Sequence, residues 1–229
     1  MKKILFILLA PLLMITTCSN ETAKNETKKY TYLALGDSYT IGESVPEKER
    51  FPVQLADALN AKGIAIKNPE IVATTGWTTD ELAKGIEKAA LDTTYDLVTL
   101  LIGVNNQYRG RDLENYRKEY KSLLEQAIWF AGGHPEKVIV LSIPDWGVTP
   151  FAEGRDRDKI GREIDNYNSA CKEITEAGGV KFLDITPISR KAAKDSALVA
   201  DDGLHPSGKM YGKWVEQLLD DARKAIKHQ

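Results

Sequence analysis

Short apolar runs alternate with longer amphipathic stretches from about residue 30 to the C-terminus. Tyr32 to Leu35 is a compact apolar run that stops at Gly36-Asp37. Its length and its turn-forming end predict a buried strand. Phe51, Leu55 and Leu59 recur at helical spacing, and Gly63 ends that pattern. Ile64 to Ala73 predicts a second strand, interrupted at Asn68-Pro69. Thr78 with Glu81 three residues on forms a capping box and opens a helix with Leu82 and Ile86 inward. Asp96 to Ile102 reads as a third strand and Val138 to Ile143 as a fourth, with Val180 to Ile185 as a fifth.

The intervening stripes are helical. Leu113, Tyr116, Tyr120, Leu124 and Ile128 share one face, and Gly132-Gly133 closes it. Ile160, Ile164, Tyr167, Cys171 and Ile174 mark another helix, and Met210, Trp214 and Leu218 mark the last. Strands alternating with helices imply parallel strands joined by right-handed crossovers. Nearly continuous apolar strands imply a sheet covered on both faces. The expected fold class is therefore α/β: a three-layer α/β/α sandwich around five parallel strands, in flavodoxin-like order 2-1-3-4-5. The pattern contains no repeat and no second domain.

The first 29 residues break this pattern. Met1-Lys2-Lys3 is a positive start, Ile4 to Ile15 is an apolar segment too short to cross a bilayer comfortably, and Cys18 follows Thr16-Thr17. This resembles a bacterial lipoprotein signal, although Ile15 and Thr17 stand where such signals usually carry Leu and Gly or Ala. The resemblance implies export, removal of residues 1–17 and acylation of Cys18. Residues 18–29 carry no large apolar side chain and read as a lipidated tether, and residues 30–229 read as the folded domain.

Composition narrows the partners. The chain of 229 residues has 31 basic and 33 acidic side chains, a net charge of −2 and no basic block. This excludes an electrostatic nucleic-acid surface. Three histidines and two cysteines supply little for a soft-metal site, and no cofactor is expected. Cys171 lies beside an apolar stripe and reads as a buried structural thiol.

Candidate chemistry lies at the ends of the predicted strands, where open α/β sheets place their ligands. Ser38 follows the first strand directly, and a serine nucleophile needs a base and an orienting carboxylate. Asp202-Gly203-Leu204-His205 supplies both, three positions apart. Taken alone, Gly36-Asp37-Ser38 fits a turn, Gly76 a helix entry, and Asn105 an ordinary loop asparagine.

Together, Gly36-Asp37-Ser38, Gly76, Gly103-Val104-Asn105 and Asp202-x-x-His205 resemble the blocks of the SGNH hydrolases, also called GDSL esterases and lipases. The resemblance covers the whole predicted domain. It implies a serine esterase working through an acyl-enzyme without metal or cofactor. Ser38 would be the nucleophile, His205 the base and Asp202 its orienting partner. The amides of Ser38 and Gly76 and the side chain of Asn105 would form the oxyanion hole. Two positions depart from the family: Asn106 replaces the usual Asp, which puts the anchoring of that loop in question, and Tyr39 replaces Leu.

The expected substrate is a small-molecule, glycan or lipid ester, such as an acetylated carbohydrate, a lysophospholipid or a thioester. Trp77 and Trp146 are candidates to stack on a sugar ring. An acyltransferase on envelope glycans and a catalytically idle glycan-binding lipoprotein are the alternatives. The expected location is exported and membrane-anchored.

Overall fold

The computed structural model describes residues 29–91 and 94–227. The expected signal segment, Cys18 and nearly all of the expected tether therefore lie outside the described residues. A single five-stranded sheet forms the centre: β1 (Tyr32–Gly36), β2 (Glu70–Ala73), β3 (Leu97–Leu101), β4 (Val138–Leu141) and β5 (Lys181–Leu183). All neighbouring pairs are parallel, as the alternation of strands and helices predicts, and the order is the expected flavodoxin-like β2-β1-β3-β4-β5.

The three central strands are buried along their whole length, which is why they read as unbroken apolar runs. β2 is shorter than the sequence suggests. It begins at Glu70, after the Asn68-Pro69 interruption, and Ile66 contributes only an isolated bridge to Tyr30. Proline lacks the N–H that would continue the ladder.

Two helical layers close the faces. α2 (Phe51–Ala61) packs on α8 (Gly208–Lys227), with Phe51 against the rings of Tyr211 and Trp214. α5 (Leu113–Phe130) packs with α3 (Thr79–Ala89) and α6 (Arg157–Ala177). There Tyr116 meets Tyr120 and Tyr167, and Cys171 is buried among them. Leu113 and Ile128 lie at the margin of the α5 stripe and are only partly buried.

Register brings the motifs together. Gly36 at the end of β1 pairs with Ala73 of β2 on one side and Leu101 of β3 on the other. The segments that follow these three residues therefore leave the sheet at one level, carrying Ser38, Gly76 and Asn105. The loop bearing Asp202 and His205 runs into α8.

Candidate active site

Ser38 opens α1 (Ser38–Ile41), a single turn whose N-cap is Asp37. Asp37 Oδ1 accepts the amide of Tyr39, so the turn forms directly at the strand end. Gly36 allows this tight exit. A Cβ there would lie 2.1 Å from Thr40 Oγ1 and 2.5 Å from the Leu101 carbonyl. Ser38 is buried, and its hydroxyl has no hydrogen-bond partner among the described residues.

The Asp202–His205 pair forms as the Asp-x-x-His spacing predicts. His205 Nδ1 lies 2.5 Å from Asp202 Oδ2, while Asp202 Oδ1 accepts the amides of Leu204 and His205 at 2.9 Å. A carboxylate on Nδ1 leaves Nε2 as the free ring nitrogen. Partial burial pushes the Asp202 carboxyl up. The hydrogen bonds from the His205 ring, the Leu204 and His205 amides and the Ser44 hydroxyl outweigh it and hold the group at about 2. Asp202 therefore stays ionised through neutral pH. His205 is 8% exposed, and the edge of the Tyr39 ring packs against it with ring centres 5.7 Å apart.

Ser44 is the residue that sequence reasoning missed. Its hydroxyl donates to Asp202 Oδ2 at 2.7 Å across 158 positions of chain. Its backbone sits at φ 64°, a left-handed conformation unusual for a side chain other than Gly or Asn. Nothing in Gly42-Glu43-Ser44 signals this from sequence.

Asn105 lies on α4 (Val104–Tyr108), which starts immediately after Gly103. Gly103 has φ 128°, and a Cβ there would collide with Tyr116 and Ile143, so only glycine fits this entry. Asn105 Nδ2 donates to the Trp77 carbonyl at 2.9 Å, which leaves its second N–H free. Arg109 donates to the Gly76 carbonyl at 2.6 Å, so α4 holds the Gly76-Trp77 segment from two points. Gly76 adopts φ 86° in this turn.

The Asn106 departure has a local explanation. Asn106 is fully buried; its Oδ1 accepts the Thr79 amide at 3.1 Å and its Nδ2 donates to Thr79 Oγ1 at 2.7 Å. The Thr79 hydroxyl in turn donates to Glu119. With the threonine proton committed to Glu119, the neighbour must donate, and only the amide can. The loop is anchored by a different hydrogen-bond polarity rather than left loose.

Ser38, Asn105 and His205 line one open cavity of about 150 Å³, together with Tyr39, Val104, Tyr108, Trp146, Phe151 and Leu204. Trp146 is fixed there: its indole donates to Gln107 Oε1, and Asp145 caps its turn while pairing with Arg190. Trp77 is elsewhere. Its ring packs over Gly85 on α3, where a Cβ would lie 2.2 Å away, so Trp77 is a packing residue. A larger hollow of about 430 Å³ lies along the end of α8, but it is walled by Asp220, Arg223, Lys224 and Lys227 and contains no nucleophile. Among the described residues no cluster of His, Cys, Asp and Glu could hold a metal ion.

Residues 34–213 match the model of the GDSL-like lipase/acylhydrolase family, a span holding every element of this site. The chain belongs to that family. As a member of this GDSL family it is a carboxylic ester hydrolase. An acetylxylan esterase from Geobacillus stearothermophilus is 27% identical over 197 residues, covering 76% of this chain and 85% of the relative. The crystal structure of Axe2, an acetylxylan esterase from the same organism, matches the fold with TM-score 0.64 at 20% identity, over 87% of this chain and 97% of that one. The psychrotrophic esterase EstA from Pseudoalteromonas sp. matches with TM-score 0.68 at 16% identity, over 87% and 100%. At these identities the structural likenesses speak for the fold, and the GDSL family assignment rests on the sequence match.

Proposed function

We propose that this GDSL hydrolase removes short acyl groups from carbohydrate esters through a Ser38–His205–Asp202 triad. In this reading Ser38 Oγ attacks the ester carbonyl carbon as its proton passes to His205 Nε2. Asp202 holds Nδ1–H and stabilises the imidazolium that forms. The negative oxygen of the tetrahedral intermediate takes hydrogen bonds from the amides of Ser38 and Gly76 and the free N–H of Asn105. Collapse expels the alcohol, which His205 protonates. A water molecule activated by the same imidazole then releases the acid and restores Ser38.

The observation that carries this reading is the joint presence of Ser38, Asn105 and the Asp202-paired His205 around one small cavity. Its size favours a short acyl group: about 150 Å³ matches an engineered protein cavity that holds a single benzene. Tyr108 and Phe151 supply exposed ring surface at the same cavity, with the buried Trp146 behind them, a surface suited to a sugar. The acetylxylan relative adds weight to acetylated carbohydrate as the substrate class.

The test is hydrolysis of p-nitrophenyl esters from acetate to laurate, followed by acetate release from acetylated xylo-oligosaccharides. The reading expects the rate to fall with chain length and acetate to be released from the sugar. Preference for laurate would move the assignment to lipid esters. Acyl transfer to an added sugar in place of hydrolysis would move it to an acyltransferase.

A further inference from the structure

Arg155 stands over a three-ring platform at the same cavity. Its guanidinium carbon lies 4.9 Å from the centre of Phe151, 5.4 Å from Trp146 and 5.5 Å from Tyr108. The rings pack on one another, with centres 5.4–6.2 Å apart. All three line the cavity that holds Ser38, Asn105 and His205. The platform is tied to the loop of the Asp202–His205 pair, because the Phe151 amide donates to the Gly203 carbonyl at 2.9 Å.

The arginine is exposed, and it is uncompensated. Glu153, Asp156 and Asp158 are its neighbours in sequence, yet no carboxylate among the described residues forms an ion pair with it. Asp156 is committed elsewhere, capping α6 through the Lys159 amide. Two other arginines beside the site are paired: Arg109 binds Glu81 and the Gly76 carbonyl, and Arg190 binds Asp145 and Asp165. The rings surround the guanidinium carbon and no acceptor among the described residues takes its N–H groups, which leaves the fork that pairs with a carboxylate in bidentate fashion. Tyr108 and Phe151 are 46% and 38% exposed, so a ligand can reach this surface from solvent.

We propose that Arg155, held on the Tyr108–Trp146–Phe151 platform, is a specificity residue that binds a carboxylate on the substrate, so that the preferred ester is an acylated acidic sugar. This deepens the carbohydrate-esterase reading and rests on it. The scissile acyl group enters the cavity at Ser38, a sugar ring lies against the exposed aromatic faces, and the carboxylate of that or the adjoining sugar takes the Arg155 edge. Arg155 touches no reacting atom, so its effect falls on substrate capture.

The test compares acetylated oligogalacturonides, which are acidic, with acetylated xylo-oligosaccharides, which are neutral, and uses p-nitrophenyl acetate as a control. Wild type, Arg155→Gln and Arg155→Lys are each assayed. Arg155→Gln should lower kcat/KM for the acidic substrate about 10- to 100-fold, the usual range for a hydrogen bond to a charged group, chiefly through KM. The neutral sugar and p-nitrophenyl acetate should change by less than about threefold, within the effect of an exposed stacking contact. Arg155→Lys should recover part of the loss, and added salt should raise KM for the acidic substrate in wild type and Arg155→Lys but not in Arg155→Gln. Equal losses on acidic and neutral sugars, or no preference for the acidic one in wild type, would overturn the proposal and leave the esterase reading standing. Turnover of p-nitrophenyl acetate with neither sugar cleaved would instead overturn the carbohydrate reading, and this inference with it.

Discussion

Ser44 donates its hydroxyl to the same Asp202 oxygen that meets His205 Nδ1. The left-handed backbone of Ser44 is the cost of this placement, and strain of that kind persists where surrounding structure fixes it. We expect Ser44→Ala to lower kcat about three- to tenfold with little change in KM, as loss of one of the several hydrogen bonds that hold the partly exposed Asp202 carboxylate implies. A steady-state kinetic comparison checks this, and a change confined to KM would contradict it.

Asp202 also links stability to pH. Its carboxyl is held at about 2, below its unfolded value near 4. A depressed carboxyl stabilises the fold above its unfolded value and loses that contribution as pH falls through its folded value. Asp202→Asn should therefore cost on the order of 1 kcal/mol near pH 6, allowing for solvent screening of a partly exposed group, and almost nothing near pH 2. Urea unfolding at the two pH values measures the difference.

Asp37 has the opposite sign. Burial pushes its carboxyl up to about 7, against the hydrogen bond from the Tyr39 amide, and Oδ2 has no partner among the described residues. A raised carboxyl favours folding fully below its unfolded value near 4 and loses that contribution as pH rises towards 7. Asp37→Asn keeps a side chain able to cap α1 and removes the ionisation. The variant should gain on wild type between pH 5 and pH 8, by on the order of 2–4 kcal/mol at the upper end. Parallel melting curves across that range test the trend; a constant offset would contradict it.

Asn106→Asp restores the family's usual residue, yet it should destabilise this chain. The Thr79 hydroxyl has one proton and gives it to Glu119, so a buried carboxylate at 106 would lose the donor it needs. The expected cost is about 1–3 kcal/mol, the penalty for an unsatisfied buried group. Adding Glu119→Gln provides an amide that can donate to Thr79 and should return much of that loss. A double-mutant cycle in urea measures the coupling, and strict additivity would rule out the shared threonine.

We propose that the protein is exported and that Cys18 carries a lipid anchor. Cys18→Ser should then move it from the membrane fraction to the soluble one, read by fractionation and immunoblotting. Retention in the membrane would contradict the anchor.

The fold was legible because burial writes itself into composition. Strands covered on both faces must be apolar throughout, and helices between two environments must be striped. That Ser38, Asn105 and the Asp202-paired His205 would meet at one cavity was legible from their places at strand ends and from the resemblance of their motifs to the family's blocks. What escaped was long-range or conformational. Ser44 reaches Asp202 across 158 positions through an uncommon backbone angle, and Arg155 matters only once three separate rings converge beneath it. Trp77 and Trp146 looked alike beside their motifs, and only the fold separates the packing ring over Gly85 from the cavity wall.

Covalent trapping decides whether Ser38 carries the acyl group. The purified domain would be incubated with an organophosphate such as paraoxon and digested, and the modified peptide mapped by mass spectrometry. If Ser38 is the nucleophile, one equivalent of label forms on Ser38, activity is lost in proportion, Ser38→Ala takes no label, and p-nitrophenyl acetate turnover in that variant falls at least about 10³-fold. Stoichiometric label on another residue, or a Ser38→Ala variant that keeps wild-type turnover, would contradict it.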